Sequence, residues 1–187
     1  MRGDTHAVPT PVSQIRLPFV VYALAACTFL MLTTEFVVAG LLPEIAGDLD
    51  VSVARAGLLI TVFAIGMIVG APAVALLFRR MPRRGVLLLA LAVFAAGHVV
   101  VALGSSFPLL LAARFVTAWA TGAFWSVAFV VAGRAAGPTS SSRALGVVGA
   151  GGMLANVIGV PIGAFAGQLS GWRGPFWALT TSPLRVA

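Results

Sequence analysis

The sequence contains no lysine, a single cysteine and only five carboxylates, and charged residues make up 9% of its 187 positions. An ordinary soluble domain carries roughly 25% charged residues, so this chain has too little polar side chain to cover a folded surface in water. The lone Cys27 lies inside an apolar run, which excludes a disulfide framework and a CxxC metal or redox site. Two histidines, His6 and His98, supply neither a metal pair nor a Ser-His-Asp set, and there is no glycine-rich phosphate loop. No soluble-enzyme chemistry, metal or cofactor is therefore expected.

What the chain has instead is apolar residues, 60% of the total. A membrane-crossing helix needs about 20 predominantly apolar residues, and five windows of that size stand between charges, glycines and prolines. They run from Leu17 to Leu42, Ala56 to Phe78, Gly85 to Gly104, Phe107 to Gly133 and Leu145 to Leu169. Helices are required, because an open strand in lipid leaves its backbone unsatisfied and the alternation of a barrel strand is missing. A sixth span begins near Trp172. After Phe176-Trp177-Ala178-Leu179 the sequence turns to Thr180-Thr181-Ser182-Pro183-Leu184-Arg185, too short to finish a crossing.

The formal charge of +7 resembles a nucleic-acid signal until its placement is followed, for the arginines sit in short breaks between apolar runs. Arg2, Arg16, Arg79, Arg80, Arg83, Arg84, Arg134 and Arg143 all fall on one side of the predicted spans. By the positive-inside rule that side is cytosolic and the amino terminus lies inside. The expected partner is the lipid bilayer, with no nucleic acid. The expected division is a cytosolic tail over 1–16, a helical half-domain over 17–179, and a divergent or truncated tail over 180–187.

Ionisable residues inside a span are costly in lipid and serve as functional candidates. Glu35 and Arg114 each lie seven residues in from the external ends at Leu42 and Phe107, roughly 10 Å deep, so they can meet. Two readings are open: a static ion pair joining the first and fourth spans, or a carboxylate that alternates between pairing with Arg114 and holding a proton. His98 is either a packing histidine or a titrating group. Asn156 is either interhelical glue or a substrate contact. Trp119 and Trp125 lie mid-span, lining an aromatic cavity or filling space.

The fifth span carries Gly159, Gly163, Gly167 and Gly171 at intervals of four, with Gly152 upstream and Pro161 inside. Small residues at this spacing let another helix approach closely, and the proline introduces a bend. The ridge serves either close packing or a surface on which helices rock; Gly66 and Gly70 form a shorter version on the second span.

These features together resemble the major facilitator superfamily over about Arg16 to Leu179. The run Thr34-Glu35-Phe36-Val37-Val38-Ala39-Gly40-Leu41-Leu42-Pro43-Glu44-Ile45-Ala46 is similar to the first helix and loop of its drug:proton antiporters of the chloramphenicol-resistance and arabinose-efflux-permease group. The resemblance implies an all-α fold, the amino-terminal half of a twelve-helix transporter, with the substrate site between two halves near mid-membrane. It implies proton-coupling or substrate roles for Glu35 and Arg114. It also assigns Gly159-Val160-Pro161-Ile162-Gly163 through Gln168-Leu169-Ser170-Gly171-Trp172-Arg173 to the antiporter motif. In the second loop Arg80, Arg83 and Arg84 match the basic positions of the conformational-switch motif. Arg79 and Pro82 stand where the family places an aspartate and a glycine, which leaves the usual gating salt bridge without its acid. The activity implied is efflux of small hydrophobic compounds such as chloramphenicol-like drugs, driven by a proton gradient. A missing carboxyl-terminal half or a second copy would complete it; the alternative is a non-transporting, self-assembling helical module.

Overall fold

A computed structural model gives the architecture of residues 16–177. The predicted tails, but for Arg16, and the sequence after Trp177 lie outside the described residues. All regular structure within them is helical. Five helical stretches are long and apolar enough to cross a membrane: Phe19–Gly40, Val53–Val74, Arg83–Leu103, Phe107–Ala136 and Ser141–Ser170. The chain is a multi-pass membrane protein.

Helix α1 (Phe19–Gly40) stops two residues earlier than expected, because Leu41 leaves helical geometry and Pro43 opens a separate short helix, α2 (Leu42–Asp48). Ser52 then caps α3 (Val53–Ala56), its hydroxyl accepting from the Arg55 amide at 3.1 Å. The second span is completed by α4 (Leu58–Leu77). Pro82 precedes α5 (Arg83–Leu103), and Ser106 with Pro108 starts α6 (Phe107–Ala136). Gly137 ends α6 at φ 74°, a left-handed conformation suited to glycine.

The fifth span is compound. Helix α7 (Ser141–Leu154) passes into a π-helical turn over Ala155–Gly159 and then α8 (Val160–Ser170). Pro161 explains the widening: it has no N–H to give the carbonyl four residues back, and its ring crowds that carbonyl, so the helix loosens to a five-residue bond from the Val160 amide to Ala155. Gly171 closes α8 at φ 80°. The sixth span has begun by Gly174 and is helical to Trp177, the last described residue.

The glycine ridge is consumed by α1. A β-carbon on Gly163 would stand 2.8 Å from Val37, one on Gly167 2.6 Å from Leu41, and one on Gly159 would collide with Thr33. Thr33, Val37 and Leu41 share the four-residue interval of their glycines, and the two helices run in the same direction, so the backbones interlock along a continuous seam. Gly159, Gly163 and Gly167 thus pack closely against α1. Gly171 lies outside the seam, with open space where a side chain would point. On the other face of the fifth span Met153, Val157, Ile162, Phe165 and Leu169 are exposed.

Two buried apolar clusters result. One gathers Val21, Leu24, Met31, Phe94, Phe124 and Val148; the other gathers Val38, Leu41, Ile45, Leu59, Val101, Leu110, Trp172 and Phe176. Between them along α1, α5 and α6 runs a buried polar layer of Thr33, Thr34, His98, Arg114, Thr117 and Thr121.

The seam sets a matched pair of tests. Gly163→Ala overpacks against Val37 and is expected to cost about 1–3 kcal/mol, read as thermal unfolding in detergent. Gly146→Ala, where an added methyl meets nothing, is expected to be neutral or stabilising by up to about 1 kcal/mol. Equal effects at both positions would argue against the seam.

Candidate functional site

Arg114 is the centre of the polar layer. Its side chain is turned inward from α6, and only 2% of its surface is exposed. The guanidinium lies 4.2 Å above the ring of Phe63 from α4, a cation–π contact that is strengthened where water is excluded. Nη2 donates to the backbone carbonyl of Glu35 on α1, at a long 3.4 Å. Nε and Nη1 have no hydrogen-bond partner among the described residues.

Glu35 and Arg114 therefore do meet at one depth, as their positions predict, but they do not form the static ion pair. The guanidinium reaches the backbone of Glu35, while the half-buried carboxylate leaves Oε2 without a hydrogen-bond partner. A buried charge with two orphan donors beside an unpartnered carboxylate oxygen is an unsettled arrangement, since unsatisfied polar groups away from water are costly. It is the composition of a group pair that can exchange partners. Around it the threonines are spent on their own helices: Thr34 donates to Leu30, Thr117 to Arg114 and Thr121 to Thr117.

His98 is sealed into the same layer at 1% exposure. Nδ1 donates to the Phe94 carbonyl at 2.8 Å, which fixes the tautomer and leaves Nε2 as an unpartnered acceptor. The ring is packed between Phe94 and Phe176, with centroids 4.1 and 5.7 Å away. Asn156 stands apart on the exposed side of the π turn. It donates to Gly152 of its own span at 3.3 Å, so among the described residues it is not interhelical glue. Trp119 and Trp125 also part company. Trp119 lines a fissure with α4 and α5, whereas Trp125 leans toward Gly152 on α7 and packs on Phe129, so they do not share one cavity.

At the far end of the bundle from the Arg79–Arg84 loop, Arg173 donates to Asp48 at 2.6 Å and to the Gly104 carbonyl at 3.0 Å, and covers the Trp172 ring at 4.2 Å. This clasp ties α2, the end of α5 and the start of the sixth span together. Nothing in the sequence signals the pairing of Asp48 with Arg173. Phe63 was also missed, since nothing distinguishes one phenylalanine in an apolar span from another. Arg80 is exposed in the turn between α4 and α5, and Arg83 and Arg84 are exposed on the first turn of α5.

Residues 24–182 match the family model described as Major Facilitator Superfamily. The chain belongs to that superfamily of membrane transporters. It is 46% identical over 171 residues to a protein named "Chloramphenicol resistance protein" from Streptomyces lividans, covering 91% of this chain and 44% of that protein. It is 40% identical to the uncharacterized MFS-type transporter YtbD of Bacillus subtilis (strain 168), over 84% of this chain and 40% of the relative. It is 37% identical to the inner membrane transport protein YdhP of Escherichia coli (strain K12), over 88% and 42%. The chain spans about two fifths of the length of these curated relatives.

If Glu35 holds no ion pair with Arg114, Glu35→Gln should change stability in detergent by less than about 1 kcal/mol, against the 3–5 kcal/mol typical of breaking a buried pair. A loss of the larger size in thermal unfolding would mean that the two charges are joined.

Proposed function

We propose that this chain forms the amino-terminal part of a proton-coupled exporter of small hydrophobic compounds, with Glu35 as the proton-carrying group and Arg114 as its counter-charge. The observation that carries this reading is the pairing of an unpartnered carboxylate oxygen with a buried guanidinium whose donors are only partly used. Protonated, Glu35 is neutral and Arg114 rests on the α1 carbonyl and the Phe63 face. Ionised, the carboxylate draws the guanidinium toward itself, and the helices that carry them shift together. His98, with Nε2 free to accept, stands in reserve as a second polar group of the same layer, and the exposed Asn156 is assigned a substrate contact.

The name of the chloramphenicol-resistance relative supports this substrate class, as do the apolar clusters on either side of the polar layer. We place the protein in the plasma membrane with its amino terminus in the cytosol, consistent with arginines concentrated in the loops on one side. The π turn, Pro161 and the arginines Arg80, Arg83 and Arg84 are assigned to the conformational switch. A further set of helices, from additional chain or from a second copy, completes the cavity.

The test is accumulation of labelled chloramphenicol in sensitive cells that express the chain, alone or with the carboxyl-terminal part of a full-length relative. Accumulation should fall several-fold relative to empty cells, recover when a protonophore collapses the gradient, and stay at the empty-cell level with Glu35→Gln. Efflux that ignores both the protonophore and Glu35→Gln would remove Glu35 from the coupling step. No efflux in either setting would leave a non-transporting helical module as the better description.

A further inference from the structure

Helices α4 and α5 are joined by a short turn, yet among the described residues they do not pack on each other; each packs on α6. Gly66 and Gly70 bring α4 against Ala118 and Trp119, and Gly97 brings α5 against Thr117. Because both helices are drawn onto α6, a wedge stays open between them toward the arginine-bearing loop. It is a cavity of about 320 Å³, walled by Val74, Phe78, Val86, Leu89, Val93 and Trp119 among other apolar side chains. A second space of about 520 Å³ continues from it, sharing Val74, Phe78 and Val86, and its own wall adds Arg79 and Arg83.

We propose that this fissure binds one anionic diacyl phospholipid, an acyl chain lying along the α4–α5 wedge and the phosphate held by Arg79 and Arg83. The dimensions agree. From Arg83 to Val93 is ten residues of α5, about 15 Å of rise, which equals the hydrocarbon thickness of one leaflet, half of about 30 Å. The wedge opens sideways past the exposed Leu89 and Val116, so a lipid enters it from the bilayer without crossing water.

Charge selects the headgroup. Four arginines stand within Arg79–Arg84, and the described carboxylates cannot neutralise them. Glu35 is inside α1, while Glu44, Asp48 and Asp50 lie before the start of α4, and the 20 residues of α4 separate the two ends by about 30 Å. Guanidinium groups form bidentate bonds to phosphate, and arginines at a membrane surface favour anionic lipid. A zwitterionic lipid offers the same chains but places a compensating cation beside these arginines. The site shares Arg83 with the arginines assigned above to the conformational switch, but lipid retention is read without transport, so the two readings fail separately.

Native mass spectrometry of the full 187-residue chain in detergent, offered equal amounts of dioleoylphosphatidylglycerol and dioleoylphosphatidylcholine, tests this directly. We expect the anionic lipid to be retained about tenfold or more over the zwitterionic one, the scale of two arginines at an anionic headgroup. Arg79→Gln with Arg83→Gln should erase the preference, and Leu89→Trp, which fills the mouth of the wedge, should reduce retention several-fold. Arg55→Gln, on α3 at the opposite end of the second span, should change neither. Circular dichroism checks that each variant keeps its helix content, and the wild-type lipid preference needs no variant at all. Equal retention of the two lipids overturns the proposal, as does a preference that survives the double substitution in folded protein. Displacement of the lipid by millimolar glycerol 1-phosphate overturns it as well, by showing a phosphate site that owes nothing to the acyl chain.

Discussion

A single buried guanidinium sets the terms for the rest of this bundle. Arg114 carries a full charge in a layer between two apolar clusters, and lipid offers no water to solvate it. Among the described residues its neighbours meet part of that demand from two helices, and its own helix adds nothing. The α1 backbone supplies a carbonyl at Glu35, α4 supplies the face of Phe63, and α6 keeps its own threonines turned to its own carbonyls. The demand is not fully met, and Nε and Nη1 remain without partners. That residue of unsatisfied polarity sets this layer apart from the glycine seam and the loops.

The remaining packing divides into one seam that is shut and one that is open. Along α1 and the fifth span, glycines at four-residue intervals let the backbones interlock, and the π turn forced by Pro161 falls at the head of that interlock. The seam joins α1, which carries Glu35, to the span whose other side exposes Val157, Ile162 and Phe165. Between α4 and α5 the opposite holds. Both helices are drawn to α6 by glycine contacts, and the wedge left between them ends at a cluster of arginines. The Arg173–Asp48 clasp closes the other end of the bundle. It is the exposed kind of ion pair whose energy is small, on the order of 1 kcal/mol or less. It therefore fixes register more than it stabilises.

Much of this was legible before any coordinates. Apolar windows and the arginines between them located the five spans to within a few residues, because a chain in lipid must satisfy its backbone internally and must keep its charges at the ends. The misplacements have local causes. Leu41 and Pro43 broke the first span, and Ser141 began the fifth four residues before the expected Leu145, since serine is tolerated at a helix start where it is rare in an apolar interior. Family membership was equally readable from the run Thr34–Ala46.

What the sequence by itself determined was therefore the solvent, the number and order of spans, the depth of Glu35 and Arg114, and the four-residue spacing of small residues. These depend on composition and helical rise, which are local. Tertiary structure alone decided that Arg114 reaches the backbone of Glu35 and not its carboxylate, that Phe63 lies beneath it, that Gly159, Gly163 and Gly167 face Thr33, Val37 and Leu41, and that Asn156 bonds within its own span. Each is a matter of which faces of two helices meet. In an all-apolar span with nearly uniform sides no periodicity announces that choice, which is fixed only when every helix is packed against its neighbours.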